Sequence, residues 1–273
     1  MTSKYPIKLK FRDGTIINAI NAGFVHAASS GIQYSYDPKA DLISFTFKNK
    51  KIMLVGSYNN NDLADTFGFQ TYCELTVHDR IVIDIGANIG DTAIYFAIMG
   101  AKRILAFEPA PIAFESLIKN VELNKLTKTI VPFNLGVSSV KDKIKIRNNN
   151  EDVTGRKVLD EGEGTEIWLI TLSDIFKSYG PFDSKVVLKM DCEGCEFETI
   201  LAADNSILLL FDEIILEYHD VPFPIVSKLI QAGFLVKVDG RNIENSAKEI
   251  IKLLKRNKLG YIYAKKEPDY HKR

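Results

Sequence analysis

Apolar and polar positions follow two rhythms along the chain. Up to about residue 75 the pattern is short and irregular. KLKFRDGTIINAI reads as a hairpin with Asp13-Gly14 as a two-residue turn. ISFTFKNKKIMLV alternates at Ile43, Phe45 and Phe47, then turns at Asn49-Lys50 into a partner strand. From residue 77 the rhythm becomes apolar runs alternating with helical spacing, the signature of a parallel sheet. The pattern predicts strands at 80–84, 103–107, 129–134, 185–190 and 212–218. Helices are expected at 90–99, 111–123, 194–203 and 222–232. The second carries Phe114, Leu117, Ile118 and Val121 on one face, with Pro111 in its first turn.

Between the third and fourth strands a polar, Gly-rich insert is expected to form extra short strands. Thr171 and Asp174 have capping-box spacing ahead of a short helix. GFLVKV and LGYIYAKK should close the sheet as antiparallel strands, with SAKEIIKLLKR as an amphipathic helix between them. The fold class expected is therefore α/β, a doubly wound sheet over 77–273 with a small β-rich extension over 1–76. The extension reads as a cap that tunes the acceptor site.

Charge adds little bias. Lys+Arg and Asp+Glu both number 35, so no global field draws the chain toward nucleic acid or membrane. Residues 241–273 are locally basic, with ten Lys/Arg against four Asp/Glu, which fits a solvated face. No run approaches the about 18 apolar residues of a membrane span. The charged start MTSKYPIKLKFRDG is unlike an export signal, and a cytoplasmic location is expected. Cys73, Cys192 and Cys195 are too few for a disulfide framework, and Cys192 and Cys195 read as packing residues. His26, His78 and His271 read as surface residues and Trp168 as core.

The informative stretch is IVIDIGANIGDTAIYFA, a buried strand, a tight turn and an apolar helix. Gly86 permits the turn and close approach of a ligand, Asn88 tolerates left-handed backbone, and Gly90 allows close packing. Glu108 closes the next strand, where an acid can take both hydroxyls of a ribose. Dinucleotide binding expects G-x-G-x-x-G, but those places hold Gly86, Asn88 and Asp91. Asp84 and Asp91 would repel a pyrophosphate and welcome a cation. S-adenosylmethionine (SAM) has a sulfonium, an amino group and a ribose.

On these residues the chain resembles the FkbM-type family of class I SAM-dependent methyltransferases. VIDIGANIGD, AFEP with Asn120 and Asn124, TLSDI, LKMDCEGCEFETI and IILEYH carry the resemblance over residues 77–264. It implies a Rossmann-like sheet, SAM as cofactor, and O-methylation of a sugar, glycolipid or small metabolite. It also implies that Asp84, Gly86, Asn88 and Gly90 hold the methionine and ribose part of SAM, and Glu108 the ribose hydroxyls. An acid often contacts adenine after the third strand; here Asn134 or a backbone amide would substitute.

Methylating a hydroxyl calls for a base at the carboxyl ends of the strands. Asp191 and His219 end the fourth and fifth strands, with Glu193 as the alternative base. Two-residue periodicity sets Lys189 and Glu217 one layer deeper, where they are expected to pair. A metal on Asp191 and Glu193 lacks a third ligand, so none is expected. The bland readings are a helix cap for Asp84, a turn acid for Glu108 and a structural ion-pair network for the strand-end charges. Glu196 divides evenly between a surface charge and a catalytic role, and Glu198 reads as surface. An RNA methyltransferase using the basic tail is the competing enzyme, disfavoured by the zero net charge and by DCEG where an N/D-P-P-Y element would stand. A SAM-binding regulator without catalysis is the third reading.

Overall fold

The computed structural model describes residues 6–56, 62–146, 158–159, 164–243 and 259–267. The chain starts with β1 (Ile7–Lys10), β2 (Ile16–Ala19) and α1 (Ala22–Ser29). A three-stranded antiparallel sheet follows, of β3 (Tyr34–Asp37), β4 (Leu42–Phe47) and β5 (Lys50–Val55). A π-helical turn spans Ala64–Gly68. Both expected hairpins form with shifted turns. Lys10 pairs with Ile16, so the first loop holds five residues, with only Gly14 left-handed there. The second turns at Lys48-Asn49, both left-handed (φ 46° and 62°), one residue earlier than the pattern suggests.

The strand–helix alternation is β6 (Ile81–Ile85), α2 (Asp91–Ile98), β7 (Arg103–Phe107), α3 (Pro111–Leu123) and β8 (Ile130–Phe133). The insert supplies β9 (Gly136–Val137), β10 (Asp142–Ile146), β11 (Val158–Leu159) and β12 (Thr165–Ile170), which form a separate small sheet. Then come α4 (Leu172–Tyr179), opened by the Thr171–Asp174 capping box, β13 (Val186–Met190), α5 (Cys195–Ala202) and α6 (Asn205–Leu208). The chain continues through β14 (Phe211–Tyr218), α7 (Phe223–Gln231), β15 (Phe234–Val238), β16 (Arg241–Asn242) and β17 (Gly260–Lys266). SAKEIIKLLKR and His271 lie outside the described residues.

The large sheet has the order β16-β15-β17-β14-β13-β6-β7-β8. From β8 to β14 the strands are parallel; β17 pairs antiparallel with both β14 and β15. This is a Rossmann-like doubly wound sheet, and order reverses at β6, where ligands gather in such folds. Two-residue periodicity divides β6 between two cores: Val82 faces α2 and α3, while Ile81, Ile83 and Ile85 face the opposite layer with α4, α5 and α7.

The first core crosses the expected boundary at residue 76. Phe45, Leu54, Phe67 and Tyr72 pack in it with Val82, Tyr95 and Phe96. Two asparagines one turn apart, Asn120 on α3 and Asn124 at its C-cap, fasten the edge strand. Asn120 Oδ1 accepts from Val55 N–H (2.7 Å), and its amide donates to the Val55 carbonyl (3.0 Å). Asn124 does the same with Met53 N–H (3.0 Å) and the Met53 carbonyl (2.6 Å). Helical spacing thus offers β5 the donors and acceptors of a further strand.

Trp168 is not core: it is 51% exposed on the outer face of β12, with Lys143 Nζ lying 4.1 Å from its ring centroid. Strand alternation explains this, because its neighbour Ile167 takes the buried side.

Candidate active site

The β6–α2 turn and the end of β13 meet at one point. Gly86 is left-handed (φ 71°), and a Cβ there would overlap the backbone carbonyl of Asp191. The close approach that demands glycine is to the protein's own chain. Asn88 is left-handed as expected (φ 46°). Gly90 (φ 88°) packs against Leu117 of α3, so its closeness is helix to helix rather than helix to strand.

Beneath the turn, Asp84 is fully buried and accepts from the Thr92 hydroxyl (2.7 Å). Lys189, also buried, places Nζ 3.1 Å from Asp84 Oδ1 and donates to the Gly86 carbonyl (2.7 Å). The expected Lys189–Glu217 pair therefore does not form. Register is the reason: Lys189 lies opposite Asp84 on one side and Ile215 on the other, which sets Glu217 level with Asp191. Despite its burial, the Lys189 ammonium is held well above the usual lysine range by Asp84, Asp191 and Asp91.

Glu108 is buried where β7 ends, accepting from the Asn88 N–H and the Ala110 N–H, each at 2.8 Å. Burial raises its pKa to about 7, against the lowering effect of these bonds. Asn134 donates to the carbonyls of Glu108 (2.9 Å) and Pro109 (3.1 Å), so it braces this corner. Among the described residues, Asn88 Oδ1 is buried without a hydrogen-bond partner.

Asp191, Glu217 and His219 converge at the ends of β13 and β14, with one donor atom from each within 4.8 Å of the others. Burial first, then the charge of Asp191 beside it, pushes the Glu217 carboxyl up to about 8. Glu193, left-handed at φ 60°, brings Oε2 to 3.4 Å from His219 Nε2. Glu196 is not a surface charge. It is buried, accepts from the N–H groups of Cys192 (2.7 Å) and Gly194 (2.9 Å), and lies 3.5 Å from His219 Nδ1. This neighbouring carboxylate raises His219 to about 9. Glu198 is exposed as expected.

Cys192 and Cys195 are joined by a disulfide rather than packed as thiols. Left-handed Glu193 and Gly194 fold the chain back and bring the two Cα atoms to 5.5 Å.

The sequence reading missed the residues that the N-terminal segment brings here. Tyr72 donates to Asp191 Oδ2 (3.0 Å), Asn88 donates to Asp62 Oδ2 (2.5 Å), and Thr66 donates to Asp91 Oδ2 (2.7 Å). From the other side, Tyr261 of β17 is the register partner of Glu217. The one available signal was acids standing among apolar residues in DLADTF. Beside His219 opens a cleft of about 290 Å³ lined by Glu196, Phe197, Glu198, Tyr218, Asp220 and Val221, among others. Carboxylates outnumber cations throughout the site, which suits a positively charged ligand.

The FkbM methyltransferase domain matches residues 84–263. The chain belongs to this family. Among curated proteins it is 27% identical over 169 residues to "Methyltransferase sdnD" of Sordaria araneosa, covering 50% of this chain and 65% of that one. It is 26% identical over 185 residues to "Methyltransferase 1" of Beauveria bassiana, covering 59% and 74%. The crystal structure of "Methyltransferase FkbM" from Methylobacillus flagellatus KT aligns with TM-score 0.46 and 15% identity over 73% of this chain and 47% of that one. The turn, Glu108 and the β13 and β14 ends all lie inside the matched range. Tyr72, Thr66 and Asp62 lie before it. No described helix is long and apolar enough to cross a membrane.

Proposed function

We propose that this FkbM methyltransferase transfers a methyl group from SAM to a hydroxyl of a sugar, glycolipid or small metabolite. The observation that carries the reading is the contact of Gly86 with Asp191, which joins the cofactor-type turn to the strand end bearing the acids. The residues fit SAM: a cation meets an acid-rich cleft, and the unpartnered Asn88 Oδ1 awaits a donor. Glu108 already has both carboxylate oxygens aimed by backbone amides and keeps a lone pair on each for ribose hydroxyls.

When bound, SAM supplies an electrophilic methyl. The chain supplies alignment and proton transfer. Lys189 holds the turn through Asp84 and the Gly86 carbonyl, and Asn134 braces the Glu108 corner. Asp191, with Glu217 beside it, takes the proton that the acceptor hydroxyl must lose. His219, flanked by Glu193 and Glu196, steers the acceptor. The neighbouring cleft, apolar at Phe197 and Val221 and acidic at Glu198 and Asp220, suits a hydroxyl-rich ring.

The test is methyl transfer from labelled SAM to a cell extract separated into lipid, glycan, small-molecule, RNA and protein fractions. Label in the glycan, lipid or small-molecule fraction is expected. Label mainly in RNA or protein would overturn the assignment.

A further inference from the structure

We infer that Asp191, Glu217 and His219 form a binding site for a divalent cation at the bottom of the acceptor cleft, an inference that rests on the methyltransferase reading of the same site. The sequence offered only Asp191 and Glu193 and no third ligand. Pairing of β13 with β14 supplies it by setting Glu217 level with Asp191 and His219 one layer above. The donor atoms lie within 4.8 Å of one another. Octahedral bonds of about 2.1 Å place opposite ligands about 4.2 Å apart, so small side-chain rotations close the set.

The surroundings are those a metal requires, and they are independent of the three donors. A ligating histidine almost always gives its second nitrogen to a carboxylate, a backbone carbonyl or water. Buried Glu196 stands 3.5 Å from His219 Nδ1, itself held by the amides of Cys192 and Gly194. This leaves Nε2 for the cation, with Glu193 Oε2 3.4 Å away as a fourth ligand. Ligating carboxylates are in turn hydrogen-bonded. Tyr72 donates to Asp191 Oδ2 (3.0 Å). Two carboxylates held side by side repel unless a proton or a cation lies between them. A mixed oxygen and imidazole set suits Mn²⁺ among common divalent ions. Bound there, the ion would polarise the acceptor hydroxyl and ease loss of its proton. Cation binding would displace the proton that His219 otherwise carries.

The probe is Mn²⁺ alone, added to the untagged full chain without SAM or acceptor and followed by electron paramagnetic resonance of free Mn²⁺. One bound ion per chain is expected. Glu217→Gln should weaken binding by at least about tenfold, and Glu196→Gln by about 10–100-fold through loss of the His219 orientation. Circular dichroism would establish that each variant is folded, and His219→Ala would serve if Glu217→Gln is not. Absence of saturable Mn²⁺ binding by the folded wild-type chain would overturn the site, as would binding unchanged in the folded variants. Because no methyl transfer is read, a failure here leaves the proposed reaction standing. A failed transfer assay likewise leaves the Mn²⁺ result intact.

Discussion

Lys189 Nζ lies 3.1 Å from Asp84 Oδ1, both side chains at most 1% exposed, across the two central strands of the sheet. A buried pair of this kind is costly to break singly, because the surviving charge keeps its desolvation penalty. Lys189→Met should therefore lower unfolding free energy by about 3–5 kcal/mol. Adding Asp84→Asn should recover part of that loss, as read by urea denaturation. Simple additivity of the two changes would show that they are not coupled.

Asn120 and Asn124 fasten β5 to α3. Asn120→Ala would strand the Val55 N–H and the Val55 and Ile89 carbonyls, at about 1–3 kcal/mol for each buried group left unpaired. Amide hydrogen exchange should accelerate at Met53 and Val55 while the amides of β6 and β13 stay protected. Equal acceleration in both sheets would mean that the asparagines support the whole fold rather than the docking of one strand.

The central strands were readable because strands buried on both faces are continuous apolar runs, as at Ile81–Ile85 and Val186–Met190. The turn was readable from Gly86, Asn88 and Gly90. Less legible were relationships set by register between distant segments. Nothing near Lys189 in sequence says that its partner is Asp84 rather than Glu217. Nothing near Tyr72 points to Asp191. Asn120 and Asn124 looked like motif residues and are joints to a strand 65 and 71 positions earlier. Trp168 was misread because strand alternation in a small sheet exposes large residues as readily as small ones.

Glu108 sets a pH dependence. Its carboxyl titrates at about 7 in the free protein, and only the carboxylate accepts both ribose hydroxyls. Protons compete with the ligand, so affinity is full above this pKa and lost as pH falls through it. Titration calorimetry with demethylated SAM should show binding about tenfold weaker at pH 6 than at pH 8. Glu108→Gln should bind weakly at both values. A pH-independent affinity in the wild type would remove Glu108 from the ribose contact.

The N-terminal segment supplies Tyr72, and its hydroxyl fixes Asp191. Tyr72→Phe keeps the ring in the core and removes one hydrogen bond to a charged group, about 1.5–3 kcal/mol. Turnover should fall by at least about tenfold with SAM affinity within a few-fold. Loss of SAM binding in a folded Tyr72→Phe protein would place the hydroxyl in the cofactor site instead.

The central claim is that chemistry happens where the Gly86 turn meets the end of β13. The direct measurement compares wild type with Asp191→Asn, using labelled methyl transfer to the accepting extract fraction beside calorimetric SAM binding. Turnover should drop by about a hundredfold or more while SAM affinity stays within a few-fold. Near-normal turnover in Asp191→Asn would contradict the account.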